Sequence, residues 1–279
     1  MNAYEKIEKL EEKDFKLITG ITREVLYRML EVLKRKYTEY HVQGGQPGLP
    51  VELRLTLALE YWREYRSLRH MANDHQIAKS IINRAVIWVE DVLSESDEFK
   101  LKDLKERFKP TEEEVIKIIL TDVEEQPIEK PRYKQEDSYS GKKRHTTKYQ
   151  VLVNAQNMEV LDIYNDMGTV HDFRMFKESL VGVLPEDILA MLDSGYQGVN
   201  EYLFNAMIPY KATKKKPLTV EEKAFNTMLS KLRIVIEHIN RELKIFRICK
   251  ETYRGKGKRG LLRVKLIASL YNHRVVFCK

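Results

Sequence analysis

The sequence has little cysteine, no signal peptide and no long hydrophobic run. Its 279 residues include only Cys249 and Cys278, which excludes a disulfide framework and a cysteine-based zinc site and fits a reducing compartment. No apolar run approaches the roughly 20 residues that span a bilayer, and residues 1–16 are charged throughout. We therefore expect a cytoplasmic protein with no membrane partner.

Positive charge is in excess. Lysine and arginine number 49 against 42 aspartate and glutamate residues, which gives a formal net charge of +7. This balance favours a polyanionic partner such as nucleic acid, although a basic soluble protein without such a partner is the alternative. The hydrophobic fraction of 43% suffices for a core, and the length accommodates one large domain or two ordinary ones.

The first 95 residues carry helical periodicity. Residues 1–48 are predicted as an N-terminal helical segment of two pieces, and a Gly- and Pro-rich stretch then starts a new unit over 49–95. In that unit Ser67 can cap a short helix, and a longer helix follows after a brief turn. This is the helix-turn-helix pattern, so the unit is predicted to bind DNA. A three-helix packing unit that does not bind DNA is the alternative.

The longer helix of this unit has an apolar and a polar face. It is predicted to pack through Ile81, Ala85, Trp88 and Val89. The opposite face would be free to enter a major groove, and it carries Lys79, Ser80, Asn83 and Arg84.

After a charged connector over 96–115, the chain from 116 to 279 alternates between strands and helices. The first strand is predicted at 116–120, with an extension to 128. Further strands are predicted at 148–154, 160–164, 188–192 and 208–212, and helices at 171–183, 219–246 and 259–274. This order predicts a ribonuclease-H-like α/β domain with a mixed sheet, preceded by the all-helical helix-turn-helix domain. In that fold the first and fourth strands are adjacent.

Two aspartates are predicted to end these adjacent strands. Asp193 follows the apolar run that ends at Leu192 and precedes a turn with Gly195 and Gly198. Asp122 closes the predicted first strand. Open α/β sheets bind ligands at the carboxyl ends of strands, so the two carboxylates are predicted to converge. The alternative for Asp193 is ordinary Asp-Ser-Gly turn chemistry.

A third acid, Glu237, lies on the predicted helix over 219–246. Its polar stripe advances by four, four and three residues through Arg233, Glu237, Arg241 and Lys244. One interpretation is a solvated row of i,i+4 ion pairs. The other is that Glu237 joins a metal cluster while the three basic residues hold DNA phosphates beside it.

Two-metal phosphoryl transfer would explain the three acids. Mg²⁺ prefers carboxylate oxygens and water, and two ions about 3.5–4 Å apart can clamp the attacking and leaving oxygens. Asp122, Asp193 and Glu237 are therefore the predicted catalytic and metal-binding residues, with two Mg²⁺ ions as cofactor and Mn²⁺ as a substitute.

Four stretches together resemble transposases of the insertion-sequence-five type, within the DDE superfamily. They are Thr121–Pro131, Tyr139–Lys148, Leu192–Gly198 and Arg233–Lys244. The resemblance implies that Asp122, Asp193 and Glu237 form the catalytic triad and that the helix-turn-helix helps to recognise the ends of the element. The broader group has a tyrosine on the last catalytic helix, where this sequence has Ser230. The role of that tyrosine in handling the flanking base therefore has no counterpart in this sequence.

Two basic segments are predicted to contact DNA. The resemblance assigns a basic patch to Lys142, Lys143, Arg144 and His145, for which a solvated hairpin is the alternative. A Gly-containing loop is predicted to follow phosphates through Lys256, Lys258 and Arg259, for which a role in solubility alone is the alternative.

The predicted function is a Mg²⁺-dependent DNA endonuclease and strand transferase that mobilises its own element. Its partners would be double-stranded DNA, both element ends and target, and a second or further copy of the chain on that DNA. Its location would then be the nucleoid. The alternatives are a non-transposing endonuclease of the same fold and a catalytically inert DNA-binding protein.

Overall fold

The computed structural model describes residues 2–41, 48–109, 116–213, 217–255 and 259–277. The helices in these ranges are α1 Ala3–Glu8, α2 Glu12–Thr19, α3 Arg23–His41, α4 Val51–Glu64, α5 Leu68–His75, α6 Lys79–Glu95, α7 Leu104–Arg107, α8 Gln135–Ser138, α9 Asp172–Leu180, α10 Val220–Leu243 and α11 Gly260–Phe277. The strands are β1 Ile118–Pro127, β2 Thr146–Asn154, β3 Val160–Met167, β4 Leu189–Met191 and β5 Ala206–Met207.

Two compact units share the chain. The helical unit comprises Met1–Lys100, Leu243–Glu251 and Leu262–Lys279, and the sheet unit comprises Leu101–Glu242 and Thr252–Leu261. The four-part division into domains at 48, 95 and 115 stays a prediction.

The helical unit buries one apolar stripe from each of its long helices. The fully buried side chains include Leu26, Met29, Leu33, Leu55, Leu59, Trp62, Ile82 and Val89. A charged pair lies among them. Glu90 is completely buried, accepts a hydrogen bond from Trp62 Nε1 at 3.0 Å, and pairs with Arg263 Nε at 2.6 Å. This pair fixes α11 to α4 and α6.

The N-terminal segment contains three helices, so the prediction of two pieces was wrong. The break falls at Leu10 and Glu11, between α1 and α2. The Arg23 guanidinium donates to the Leu10 carbonyl and pairs with Glu12 at 3.0 Å, which satisfies a backbone acceptor that a continuous helix would have used.

The short-helix, turn, long-helix arrangement is present as α5 and α6. Ser67 caps α5, since its side chain accepts from His70 N at 3.2 Å. Gln76 takes the left-handed conformation in the turn, with φ 53°. The packing stripe of α6 differs by one residue from the prediction, because Ile82 is fully buried whereas Ile81 is exposed.

The sheet unit has the predicted ribonuclease-H-like topology. Its strand order is β3-β2-β1-β4-β5, with antiparallel pairing of β1, β2 and β3 and parallel pairing of β1, β4 and β5. The mixed sheet and the adjacency of the first and fourth strands are thus confirmed. One face packs against α9 through Phe176 and Leu180, which meet Ile119, Leu152 and Leu161.

Two strand boundaries were predicted wrongly. β1 is continuous over ten residues, and Asp122 lies within it instead of closing it. The reason is that β2 pairs along β1 from Ile119 to Pro127, so backbone hydrogen bonds extend the strand beyond its apolar part. β5 lies before the predicted 208–212, because β4 offers only Ala190 and Met191 as partners.

Helix α10 buries Leu229, Ile236 and Ile239, whereas Met228 is exposed. Among the described helices, none combines the length and apolar character needed to cross a membrane.

Candidate active site

The sheet brings Asp122 and Asp193 side by side. On the adjacent parallel strands β1 and β4, Leu120 pairs with Met191. Two residues further along each strand direction are Asp122 and Asp193. Asp193 lies just past the end of β4, and its carboxylate is close enough to Asp122 to raise the pKa of that residue. The predicted convergence of these two acids agrees with this register.

The turn after β4 holds Asp193 in place. Leu192 N donates to Met207 O at 2.9 Å, and this is the last contact of the strand before the chain turns. The Asp193 side chain then accepts from the Gly195 backbone N–H, and Tyr196 N donates to the Asp193 carbonyl at 3.3 Å. A Cβ on Gly195 would lie 2.8 Å from Asp193 Oδ1, so any larger residue here would displace the Asp193 carboxylate.

The electrostatics around Asp122 disfavour its charged form. Burial raises the pKa of Asp122 to about 6, and the nearby carboxylates of Glu124 and Asp193 act in the same direction. The Arg233 guanidinium opposes this effect. The pair of aspartates therefore has negative charge that the surrounding side chains compensate only in part.

Helix α10 contacts both aspartates. Arg233 Nη2 lies 3.9 Å from Asp193 Oδ2, and Asn240 Nδ2 donates to Asp122 Oδ2 at 3.0 Å. These two residues are seven apart, which is close to two helical turns, so they share one side of the helix. Glu237 lies between them on that side, four residues after Arg233 and three before Asn240, with an exposed side chain.

Two of the three predicted metal ligands, Asp122 and Asp193, lie close together. Within the described ranges, no three His, Cys, Asp or Glu side chains are grouped as a metal site. Glu237 lies on the same side of α10 as Arg233 and Asn240, the two residues that contact these aspartates. These carboxylates offer only oxygen donors, and their negative charge is compensated only in part, which fits a hard divalent cation. The assignment of the three acids as metal ligands stays a prediction.

The predicted DNA-contacting residues of α6 are exposed. Lys79, Ser80, Asn83 and Arg84 all lie on the first two turns of the helix, opposite the buried Ile82 and Ala85. This is the arrangement that insertion into a groove requires.

The predicted basic patch lies in the connection between β1 and β2. Lys142, Lys143 and Arg144 are exposed, and Lys142 Nζ lies 3.7 Å from Glu125 Oε2. His145 differs from them, because its Nδ1 is 2.9 Å from Ser138 Oγ and its ring packs edge-on against Tyr139. These contacts favour a role for His145 in shaping the hairpin.

The remaining predicted DNA contacts are scattered. Arg233 is engaged with Asp193, Arg241 is exposed on α10, and Lys244 follows the last residue of that helix. Arg259 is half-buried and adopts a left-handed conformation with φ 61°. Two further predicted contacts, Lys256 and Lys258, lie outside the described residues.

Two residues next to the aspartates were missed in the sequence. Asn240 is buried and touches Asp122 directly. Tyr196 is buried against Phe176, with ring centroids 5.6 Å apart, and its hydroxyl lies near that of Thr121. Burial raises the pKa of Tyr196 well above its ordinary value. The available signal for Asn240 was a polar residue three positions after Glu237, on the same side of the helix.

Comparison with known proteins gives two matches. The family model for DDE superfamily endonucleases matches residues 121–272. The chain is also 36% identical over 271 residues to the "Probable transposase for insertion sequence element IS702" of Microchaete diplosiphon. That alignment covers 96% of this chain and 97% of the relative.

Proposed function

Since the chain belongs to the DDE endonuclease superfamily, as one of its transposases, we propose that it cuts DNA at the ends of its own insertion element and joins those ends to target DNA. The observation that supports this proposal is the proximity of Asp122 to Asp193, which follow the last paired residues of β1 and β4, Leu120 and Met191. A pair of carboxylates in this half-buried position is suited to hold divalent cations at a phosphodiester.

The ions are proposed to be Mg²⁺, with Mn²⁺ as a substitute. Asp122, Asp193 and Glu237 would hold them. When bound, such ions would polarise the phosphate as Lewis acids and lower the pKa of the attacking water or hydroxyl group. Glu237 is exposed on α10, between the two residues of that helix that contact the aspartates, which supports its role as the third ligand.

The remaining side chains have separate tasks in this proposal. The exposed face at the start of α6 is proposed to contact base edges at the element ends. Lys142, Lys143 and Arg144 are proposed to hold phosphates near the site, because β1 and β2 run from the aspartates directly into the connection that carries them. Two copies of the chain would bring two ends together, and the protein would work in the nucleoid.

The test is cleavage of a supercoiled plasmid that carries the element ends, with and without Mg²⁺. We expect metal-dependent cleavage and joining by the unchanged protein. Asp193→Asn and Glu237→Gln should each abolish both steps while DNA binding in a gel-shift assay is retained. Asp187→Asn is the matched control, because Asp187 is an exposed aspartate just before β4, at the end of the strand remote from Asp193.

The other outcomes separate the alternatives. Cleavage without joining would indicate a non-transposing endonuclease. Binding to element ends with no cleavage in Mg²⁺ or Mn²⁺ would indicate an inert DNA-binding protein. Substantial cleavage by the Asp193→Asn or Glu237→Gln variant would remove that residue from the proposed metal site.

A further inference from the structure

Asn240 is a buried polar residue beside Asp122. Its side chain is buried, and its amide Nδ2 donates to Asp122 Oδ2 at 3.0 Å across 118 residues of sequence. Its Oδ1 is also buried but has no hydrogen-bond partner among the residues that the structure describes. Buried polar atoms in native proteins are almost always hydrogen-bonded, so an orphaned acceptor beside an acidic site indicates a missing ligand or water.

From this geometry we propose that Asn240 is a positioning residue for the metal site, which holds the Asp122 carboxylate in its binding orientation and accepts a hydrogen bond from water on the bound ion. The inference rests on the proposed function. The inference extends the proposed function, because it adds to the site a residue that is neither an acid nor a predicted DNA contact.

The physical argument concerns the orientation of Asp122. An aspartate on a strand has several side-chain rotamers, and an ion binds well only when its ligands are already fixed. The Asn240 amide selects one of these rotamers by occupying Oδ2. Groups that hydrogen-bond to metal-binding side chains typically contribute about 10- to 100-fold to metal affinity.

The same bond also sets the position of α10. It joins β1 to the helix one turn after Glu237, so it determines where Glu237 stands relative to the two aspartates. Loss of Asn240 would therefore loosen two predicted ligands at once, Asp122 directly and Glu237 through the helix.

The chain offers a matched control on the same helix. Asn226 also lies on α10 and also makes side-chain hydrogen bonds, accepting from Tyr210 N at 2.9 Å and donating to Tyr210 O at 3.0 Å. It is 14 residues before Asn240, about 21 Å along the axis. Asn226→Ala removes an anchor of α10 without touching either aspartate, so it reports the structural cost alone.

The experiment measures Mn²⁺ binding directly, from the electron paramagnetic resonance signal of free Mn²⁺ during titration of the full-length protein. Asn240→Leu keeps the branched shape of the side chain and removes both polar atoms, and Asn240→Ala is a second variant in case the first fails to fold. We expect Mn²⁺ affinity to fall about 10-fold or more in either variant. Asn226→Ala should leave the affinity unchanged even if it lowers the melting temperature.

A kinetic measurement adds a second readout. In plasmid cleavage, the Asn240 variants should need more Mn²⁺ for half-maximal rate, with the rate recovering as Mn²⁺ is raised. Equal Mn²⁺ affinity in the Asn240 variants and the unchanged protein would overturn the positioning role while leaving the metal site intact. If the unchanged protein bound no Mn²⁺ and matched Asp122→Asn, the metal site itself would fail, and this inference with it.

Discussion

Replacement of Asp122 by asparagine should stabilise the metal-free protein above pH 6. Burial raises the pKa of Asp122 from its ordinary 3.8 to about 6. Between these values the folded protein binds more protons than the unfolded chain, so its stability falls as pH rises through this window and is constant above it. At 1.36 kcal/mol per pH unit, the loss is about 3 kcal/mol. Asparagine carries no charge and avoids this loss.

The assay is differential scanning calorimetry of both proteins from pH 4 to pH 8 in the presence of EDTA. At pH 4 the two melting temperatures should be similar. At pH 8 the variant should melt higher by about 6 to 12 °C for about 3 kcal/mol in a unit of this size. Asp187→Asn removes an exposed aspartate charge near the same strand and should give no such gain.

Addition of Mg²⁺ should nearly abolish this difference in melting temperature at pH 8. A ligand that binds only the folded state at 100 times its dissociation constant stabilises by about 2.7 kcal/mol, which nearly matches the cost of the charge on Asp122. The unchanged protein should therefore gain stability with Mg²⁺, and the variant should gain little. An Asp122→Asn protein that melts at or below the unchanged protein in EDTA at pH 8 would refute the reasoning.

Three further predictions concern other parts of the chain. Arg84→Ala should narrow the preference for element ends over random DNA by about 1–3 kcal/mol in competition binding, whereas an equal loss on both DNAs would mean a backbone contact only. Gly195→Ala should weaken Mn²⁺ binding with little change in melting temperature, because the added Cβ displaces the Asp193 carboxylate and not the backbone. An unchanged Mn²⁺ affinity would show that the turn accommodates the methyl group. Arg263→Met should lower the free energy of unfolding by about 3–5 kcal/mol, because the buried Glu90 carboxylate loses its guanidinium partner. The double variant with Glu90→Leu should recover most of this loss, and a single-variant loss below 1 kcal/mol would contradict the prediction.

The sequence was sufficient to predict the neighbouring strands but not their lengths. The apolar run that ends at Leu120 predicted the start of β1, and the order of elements predicted that β4 pairs with it. The continuation of β1 to Pro127 arises from backbone pairing with β2, and its side chains there are mostly polar. A hydrophobic pattern indicates only which side chains are buried. It therefore does not predict a strand that is held mainly by backbone hydrogen bonds.

The same limitation explains why Asn240 and Tyr196 were missed. A helical stripe is identified by its apolar members, and a buried asparagine is recognisable only from the partner that satisfies it. That partner is Asp122, on a strand 118 residues earlier. Tyr196 belongs to the turn after Asp193, and it is buried because its ring packs against Phe176 of α9. Both positions follow from tertiary contacts that periodicity does not encode.

Arg233 makes a contact that its place in the polar stripe did not predict. The polar stripe of α10 predicted a phosphate contact for it, and the structure places its guanidinium beside Asp193, where it also favours the charged form of Asp122. The register of β1 and β4 by itself would leave two carboxylates on one face with no counter-charge. Arg233 supplies part of that charge and Asn240 supplies a donor, one on each side of Glu237. Helix α10 therefore stabilises the metal-free pair of aspartates and also carries the predicted third acid. These two roles would explain why one side of a single helix carries a cation, a carboxylate and an amide within two turns.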